Sequence, residues 1–473
     1  MSRVFLIGTG PLPTDDPREL GFPQLRTRQM LLPLLDAGHE VMLACLTRRG
    51  IGGPSDRLTS GRPSEIVVPT PKGERRLQHA VVRPDEPGRF LMLRDLRRDF
   101  APDVTVTAGP FLPMAAGARA AGDEPLWVDV PGDPMCEAQA KAHRSGSVDP
   151  IHRYREMLGQ ALARGDRFSV ISATQRGSLV GALGLAGRLT GDALGDELVH
   201  VIPGSVDGVH APGSGVDAAR SALPPGFPEL PADAWVVLFC GGYNNWLDAD
   251  TMLHGLLAAM AAEPRIHFVS TGGALPGHDE GTYHRFRAGA AASSSADRFH
   301  FCGWVATAAL PAVFRRADLT LSVDRPCYEA EFGARTRILE SLERGVPVAS
   351  TDGCDLTAEL AAHDLLLVVP PEDPGALADL LVHACRDERG SEEVRSRWAA
   401  RRSRYGLSET TAPLLRWVRE PVRAPGGVPV DFLEDTWQEL ARLQDRLEDV
   451  WKSPTWRYLG RLHQLLRRLR GGD

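Results

Sequence analysis

The densest group of residues that could bind an anion lies between residues 324 and 351, in the run DRPCYEAEFGARTRILESLERGVPVAST. Acids follow a predicted strand there, and Gly333 precedes a predicted helix that begins close to Arg335 and Arg337. Free amides at a helix N-terminus bind phosphate groups together with guanidinium groups. We therefore predict a diphosphate site at this helix, with surface exposure of both arginines as the alternative. Glu340, further along the helix, could reach a ribose hydroxyl.

The segment from Glu331 to Val348 resembles the nucleotide-sugar signature of glycosyltransferase family 4. In that signature an acid precedes Phe-Gly, a second glutamate follows, and Gly-x-Pro-Val ends the motif. The matching positions are Phe332, Gly333, Glu340, Gly345, Pro347 and Val348. The family places seven residues between its two glutamates, but that spacing leads from Glu340 back to Phe332. Glu329 and Glu331 are therefore both candidates for the first acid.

Four further segments resemble the same family, so the likeness covers most of the chain apart from its tail. They read GFPQLRTRQMLLPLLDAGHEV, VHVIPGSVD, RFHFCGWV and PPEDPGALADLL. The third is similar to a loop whose backbone commonly contacts the nucleotide base, here through Gly303 and Trp304. The resemblance implies the GT-B fold, in which two Rossmann-like domains face a cleft, and a glycosyltransferase that retains anomeric configuration.

Glycines at predicted strand ends complete a donor site on the C-terminal half of the chain. The predicted donor-binding residues are Gly241, Gly242, Asn244, Gly272, Gly303, Trp304, Glu329, Phe332, Gly333, Ala334, Arg335, Thr336, Arg337 and Glu340. Many family members carry an Arg and a Lys after the first strand of this half, whereas the corresponding loop here reads GGYNNWLD. We predict that Arg335 and Arg337 replace that pair in stabilising the departing diphosphate.

Asp248 and Asp250 have the DxD spacing that binds a metal diphosphate in the other main glycosyltransferase fold. Here they lie where a helix is expected to begin, and an aspartate at that position caps free amide groups. We predict capping. The sequence requires neither a metal nor any other cofactor, since its cysteines show no metal-ligand spacing with histidine.

Acids and glycines at strand ends of the N-terminal half are candidates for the acceptor side. Asp129 and Asp133 follow the predicted strand WVDV and could take a proton from an acceptor hydroxyl, with turn formation as the alternative. The predicted catalytic residues are Asp129, Asp133 and Glu331. The predicted acceptor-side glycines are Gly8, Gly10 and Gly109, and a tight turn is the alternative for the first two. The first loop lacks the third glycine of a dinucleotide site, which disfavours a nicotinamide cofactor.

Short apolar strands alternate with helical stretches in two successive parts of the chain, which predicts two parallel α/β domains. Ligands in such sheets bind beyond the carboxyl ends of the strands, so both halves of the site should face one cleft. The predicted units are an acceptor domain at 1–204, a linker at 205–234, a nucleotide-sugar domain at 235–390, a helical stretch at 391–423 returning to the N-terminal domain, and an amphipathic helical tail at 431–473.

Composition excludes several classes of protein. A net charge of -7 over 473 residues argues against nucleic acid as a partner. The N-terminus does not resemble a signal peptide and no stretch is apolar enough to span a bilayer, so we expect a cytoplasmic protein. The tail carries several arginines opposite leucines after residue 456, which could contact an anionic membrane face or a helical partner. Packing of the tail on the protein itself is the alternative.

The sequence thus predicts a retaining glycosyltransferase that moves a sugar from a nucleoside-diphosphate sugar to an acceptor. A glycan, a lipid-linked saccharide or a natural product would each suit as acceptor. A catalytically silent binding or activating subunit of the same fold is one alternative. A sugar-nucleotide epimerase, or a pseudo-glycosyltransferase that forms a C–N bond, is another.

Overall fold

The computed structural model describes residues 1–12, 21–48, 58–206, 222–275, 278–387, 390–426, 442–447, 449–450 and 453. Within these residues two separate sheets form, one in each half of the chain. The predicted pair of parallel α/β domains is thereby confirmed. The domain boundaries themselves remain predictions.

The N-terminal sheet has eight strands. They are β1 (Arg3–Thr9), β2 (Glu40–Leu46), β3 (Ser64–Thr70), β4 (Gly73–Val82), β5 (Val104–Thr107), β6 (Leu126–Asp129), β7 (Arg167–Val170) and β8 (Val199–Val201). Their spatial order is β3-β4-β2-β1-β5-β6-β7-β8, and the β3–β4 pair is antiparallel while the other described pairs are parallel. The chain proceeds outward in opposite directions from β1 and β5. The switch point of this sheet, where ligands bind in such folds, therefore lies between β1 and β5.

Helices cover both faces of this sheet. They are α1 (Phe22–Asp36), α2 (Arg89–Phe100), α3 (Leu112–Ala120), α4 (Pro134–Ser145), α5 (Asp149–Arg164) and α6 (Ala173–Leu185). The residues of β1 from Val4 to Ile7 are fully buried without alternation, because helices exclude water from both sides of the strand. Such continuous apolar runs made the strands recognisable in the sequence.

The C-terminal sheet has six parallel strands in the order β11-β10-β9-β12-β13-β14. The strands are β9 (Trp235–Cys240), β10 (Ile266–Thr271), β11 (Phe299–Gly303), β12 (Leu319–Ser322), β13 (Val348–Thr351) and β14 (Leu367–Val369). The helices of this half are α7 (Ala249–Ala262), α8 (Gly281–Ala291), α9 (Leu310–Arg316), α10 (Tyr328–Phe332), α11 (Thr336–Glu343), α12 (Asp355–Ala361) and α13 (Pro374–Arg386).

Three further helices follow the second sheet: α14 (Gly390–Arg401), α15 (Leu407–Thr410) and α16 (Ala412–Arg419). Leu414, Trp417 and Val418 of α16 are buried in the core of the N-terminal domain, and the Trp417 ring lies 5.5 Å from the Trp127 ring. The chain therefore crosses back to the first domain before its tail. Residues 442–447 are helical, and Gln444 donates a hydrogen bond to Glu156 of α5 at 3.3 Å. The basic part of the tail lies outside the described residues.

Candidate active site

Three glycine loops meet at the carboxyl ends of β9, β10 and β11. Gly241, Gly272 and Gly303 all have positive φ, and the amide of Gly272 donates to the carbonyl of Gly303 at 2.7 Å. A Cβ atom on Gly272 would lie 2.2 Å from the carbonyl oxygen of Gly241, so no side chain fits between these loops. Trp304 adds a hydrogen bond from its indole nitrogen to the Ala274 carbonyl at 3.3 Å. The loops after these strands therefore expose mainly backbone atoms to the cleft.

Arg337 lies directly beneath the first of these loops. Its guanidinium group stacks over the Phe239 ring at 4.8 Å, and Nη2 is 3.4 Å from the carbonyl oxygen of Gly242. A Cβ on Gly241 would be 3.8 Å from the guanidinium carbon. Among the described residues no carboxylate lies within ion-pair distance of Arg337, and burial lowers its pKa. Arg337 is thus a half-buried cation with no carboxylate in contact, and the more distant charge of Asp324 opposes the effect of burial on its pKa.

Arg335 is differently placed, although it is only two residues away. It precedes α11 and forms ion pairs with Asp324 and, at 2.8 Å, with Glu329. Its guanidinium group also lies 5.3 Å from the Trp246 ring. These two acidic side chains occupy the N–H groups of Arg335 that a phosphate would need. Arg335 therefore holds the α10–α11 connection against the end of β12, which does not suit the phosphate-binding role predicted for it.

Glu329 is almost fully buried in this network. Burial raises the pKa of its carboxyl group to about 8, while the neighbouring Arg335 lowers it. Glu331 projects from the other side of α10 and is exposed. Of the two candidates for the first acid of the family motif, Glu329 is thus the structural one, and Glu331 is the one that a bound molecule can reach.

The remaining predicted donor residues lie between the end of α10 and the first turn of α11. Its N-cap residue makes no side-chain cap, so the first amides of α11 lack that partner. Thr336 faces the N-terminal domain, since a Cβ on Gly204 would lie 2.8 Å from its methyl group. The Phe332 carbonyl accepts a hydrogen bond from Ser172 Oγ of the N-terminal domain at 2.8 Å. Gly333 and Ala334 lie between these two contacts, so the turn sits at the seam of the domains.

Glu340 is half-buried on α11, one turn beyond Arg337. Its Oε1 lies 3.4 Å from Nη2 of Arg344. It is also close to Cys240 at the end of β9, whose pKa is raised to about 11 by burial and by the Glu340 charge. The structure therefore brings Glu340, Arg337 and the Gly241–Gly242 loop together, as a ribose–diphosphate site would need.

The loop after β9 contains a buried side chain that was not among the residues predicted from the sequence. Asn245 is 8% exposed, and neither atom of its amide group has a hydrogen-bond partner among the described residues. The adjacent Asn244, which was predicted, is half-buried and accepts a backbone hydrogen bond from Leu247. Buried amides are almost always satisfied in folded proteins. Asn245 is therefore a candidate ligand for a bound molecule or water, and its only signal in the sequence was the unusual run GGYNNW.

A cavity of about 630 Å³ opens beside α10, at the carboxyl ends of β12, β13 and β14. Of the predicted site residues, Glu331 and Arg335 line it, and Gln139 of α4 lines it from the N-terminal domain. The predicted glycines do not. The cavity therefore lies apart from the glycine loops of β9, β10 and β11.

Helix α4 of the N-terminal domain contacts the β10–α8 loop and α8 of the C-terminal domain. Its Glu137 lies 3.8 Å from His278 in the β10–α8 loop, and its Arg144 donates to Thr282 of α8 at 3.1 Å. His278 in turn meets the Trp246 ring edge-on at 5.9 Å. The sequence offered no signal for this pairing, because lone histidines are usually unrelated to a site.

Asp129 at the end of β6 and Asp133 at the start of α4 do not suit the catalytic roles predicted for them. Asp129 is fully buried, and its oxygens accept hydrogen bonds from Arg26 at 2.8 and 2.9 Å, from Ser169 at 2.6 Å and from the Gly109 amide at 3.0 Å. No acceptor can reach such a carboxylate. Asp133 caps α4 through the amides of residues 135 and 136 and accepts from the Ser178 hydroxyl at 2.6 Å. Both acids instead position the loops around them.

Asp248 likewise caps a helix, as predicted, accepting from the Thr251 amide at 3.1 Å at the start of α7. The predicted acceptor-side glycines lie at the switch point of the first sheet. A Cβ on Gly8 or on Gly10 would lie 2.3 Å from a threonine side chain, and Gly109 has a φ of 102°. These glycines let the loops after β1 and β5 pack closely.

Comparison with known proteins agrees with this architecture. Residues 234–387 match the family profile described as "Glycosyl transferases group 1". No curated protein sequence matches the chain. Residues 234–387 therefore form a domain of the group 1 glycosyltransferases, in agreement with the resemblance to family 4 found in the sequence.

Solved structures with the same fold share little sequence with this chain. Sucrose-phosphate synthase from Thermosynechococcus elongatus superposes with a TM-score of 0.61 at 16% identity, covering 89% of this chain and 99% of that one. Trehalose-6-phosphate synthase OtsA gives 0.63 at 13%, covering 89% and 100%. Anabaena HepE in complex with UDP and glucose gives 0.57 at 15%, covering 89% and 100%. Such identities establish the fold alone. Among the described helices, none has the length and apolar character to cross a membrane.

Proposed function

We propose that this glycosyltransferase takes its sugar from a nucleoside-diphosphate sugar bound on the C-terminal domain. The observation that carries this proposal is the half-buried cation of Arg337, which has no carboxylate in contact and lies beside the Gly241–Gly242 loop. Removing part of a cation from water costs free energy, and a nearby anion offsets that cost. A diphosphate on the glycine loops would supply the missing anion, and HepE, which has the same fold, holds UDP and glucose.

The remaining parts of the donor fit around this anion. The first amides of α11 lie beside Arg337 and point their dipole toward a bound phosphate. Glu340 would accept hydrogen bonds from the ribose hydroxyls, Gly303 and Trp304 would meet the base, and Glu331 would face the sugar. Since the positive charge comes from protein groups, the proposed site needs no metal and no other cofactor.

The reaction proposed is transfer with retention of configuration, as the resemblance to family 4 implies. The bond from the anomeric carbon to the diphosphate breaks while a bond to the acceptor oxygen forms on the same face of the sugar. The acceptor proton passes to an oxygen of the leaving diphosphate, so no protein base is required. Positive groups aimed at the diphosphate lower this barrier because negative charge grows there.

The first experiment is a thermal-shift panel of UDP, GDP, dTDP and ADP with their sugars, because a ligand of the native state raises the unfolding temperature. The proposal expects one nucleotide to stabilise the protein and its sugar to be turned over with release of the free diphosphate. Absence of stabilisation by all four would contradict it. Nuclear magnetic resonance of the product would then give the anomeric configuration.

The neutral loop GGYNNW favours a second candidate, a catalytically silent subunit that binds a nucleotide and activates a partner. Binding without release of diphosphate would identify that function. A product whose mass shows a C–N bond would identify a pseudo-glycosyltransferase, and an epimerised sugar nucleotide would identify an epimerase. The acceptor classes to test are glycans, lipid-linked saccharides and natural products. We also propose that the protein is cytoplasmic and that part of it associates with the inner face of the membrane.

A further inference from the structure

Phe111 belongs to an aromatic cluster on the N-terminal domain that contains none of the predicted site residues. Its ring meets the Tyr154 ring at 4.4 Å between centroids, and the Lys141 ammonium lies 5.6 Å and 4.9 Å from the two rings. Tyr154 is buried behind, whereas Phe111 is only half-buried. Of the two rings, that of Phe111 is therefore the accessible one.

The backbone at Phe111 is strained. Its φ of 58° and ψ of -85° lie outside the regions that a bulky side chain normally adopts. Glycine would adopt a positive φ without cost. Residues in such conformations persist where the surrounding structure holds them, and they cluster at ligand sites. The strain therefore points to a need for the aromatic ring at this position.

The cluster lies on the side of the cleft predicted for the acceptor. Phe111 follows β5, at the switch point of the N-terminal sheet. The Tyr154 hydroxyl donates to Glu137 at 3.3 Å, and Glu137 lies 3.8 Å from His278 of the C-terminal domain. This series of contacts connects the Phe111 cluster to the loops that flank the proposed donor site.

We propose that Phe111 is a specificity-determining residue that binds a flat apolar face of the acceptor. This inference rests on the proposed function, because it identifies a substrate class for the same cleft. Lys141 forms an ion pair with Glu137 at 2.8 Å, so its charge is already balanced and does not favour an anionic acceptor. An aromatic ring binds flat apolar surfaces through stacking. The face can belong to an aromatic aglycone or to the C–H side of a pyranose.

The test measures binding of a panel of p-nitrophenyl glycosides and the matching methyl glycosides to the full chain, saturated with the nucleoside diphosphate that stabilises it. Calorimetry gives the affinities without needing turnover. An aromatic aglycone at Phe111 makes the nitrophenyl compound bind about tenfold more tightly than its methyl counterpart. Equal binding of both compounds shows instead that the sugar face stacks on the ring.

Three variants separate the ring from the backbone. Phe111→Ala and Phe111→Gly both weaken glycoside binding about tenfold, while Phe111→Tyr keeps it. A role of the backbone alone would let Phe111→Gly bind as the wild type does, because glycine relieves the strain. Tyr328→Ala is the matched control, since Tyr328 is an exposed aromatic residue at the rim of the cavity.

The proposal is overturned if no glycoside binds or if the Phe111→Ala protein binds glycosides as tightly as the wild type. It is also overturned if Phe111→Ala weakens binding but Phe111→Gly does not. Loss of binding in Tyr328→Ala with normal binding in Phe111→Ala would place the acceptor in the cavity instead. The affinity for the nucleoside diphosphate, measured in each variant, separates the two proposals. If the wild-type protein does not bind the nucleoside diphosphate, the proposed donor site is refuted. If it does bind the diphosphate but the Phe111 variants bind glycosides as the wild type does, only the present inference is refuted.

Discussion

Replacing Arg337 with Gln separates a phosphate ligand from a structural cation, because the two roles predict opposite changes in stability. Holding the half-buried Arg337 cation without a carboxylate in contact carries a desolvation cost. The stacking on Phe239 and the contact with the Gly242 carbonyl offset about 1–3 kcal/mol of that cost. The free Arg337→Gln protein should therefore unfold at the same temperature as the wild type or higher. Its affinity for the diphosphate should fall about 10- to 150-fold, as loss of a hydrogen bond between charged groups predicts.

Calorimetry with the nucleoside diphosphate and monophosphate, together with thermal unfolding, measures both quantities. The monophosphate should lose less affinity than the diphosphate. Arg298→Gln is the matched control, since Arg298 donates to the Met260 carbonyl at the opposite end of the sheet and should leave nucleotide affinity unchanged. A destabilised Arg337→Gln protein with normal diphosphate affinity would refute the reasoning and make Asn245 the better ligand.

Further predictions concern the neighbouring groups and the tail. Glu340→Ala should weaken nucleotide-sugar binding by about 1.5–3 kcal/mol in calorimetry, and unchanged affinity would remove it from the site. Asp129→Asn should destabilise the fold by about 3–5 kcal/mol in urea unfolding, because Arg26 loses its buried partner, whereas lost turnover with normal stability would restore a catalytic role. Because the pKa of Glu329 is raised, the folded protein still binds a proton at pH values where the unfolded chain has lost it. The melting temperature should therefore decline from about pH 5 to about pH 8. Glu329→Gln should abolish that part of the decline. Deleting the chain from Pro454 onward should leave donor binding intact and reduce pelleting with anionic vesicles, and equal pelleting would exclude a membrane role.

The two arginines of GARTR show what a sequence can and cannot predict. Their type and spacing indicated an anion site next to a helix N-terminus, but not which arginine would face it. Helix α11 begins at Thr336, so Arg335 lies before the helix and turns back to Asp324, whereas Arg337 lies in the first turn and points under the glycine loop. Helix ends are uncertain by a residue or two in any sequence-based assignment. That uncertainty is enough to exchange the roles of these two residues.

Long-range pairing was also beyond the sequence. The strand ending in Asp129 was predictable from its apolar run, but its partner Arg26 lies on α1, far away along the chain. An acid at a strand end therefore suggested catalysis when the carboxylate in fact balances a buried cation. The strain at Phe111 was equally hidden, since nothing in the run AGPFLP demands a positive φ at the phenylalanine.

The polar character of the domain seam has a consequence for how the donor enters. Ser172 donates to the Phe332 carbonyl at 2.8 Å, and Asp355 accepts from the amide and hydroxyl of Thr174 at 2.8 and 2.5 Å. Each such bond contributes only about 0.5–1.5 kcal/mol, because the same groups bond to water when the domains part. The two domains keep separate apolar cores, so opening the seam would expose little of either. We infer that the cleft opens readily to admit a sugar nucleotide and then closes over it, which keeps water from the anomeric carbon during transfer.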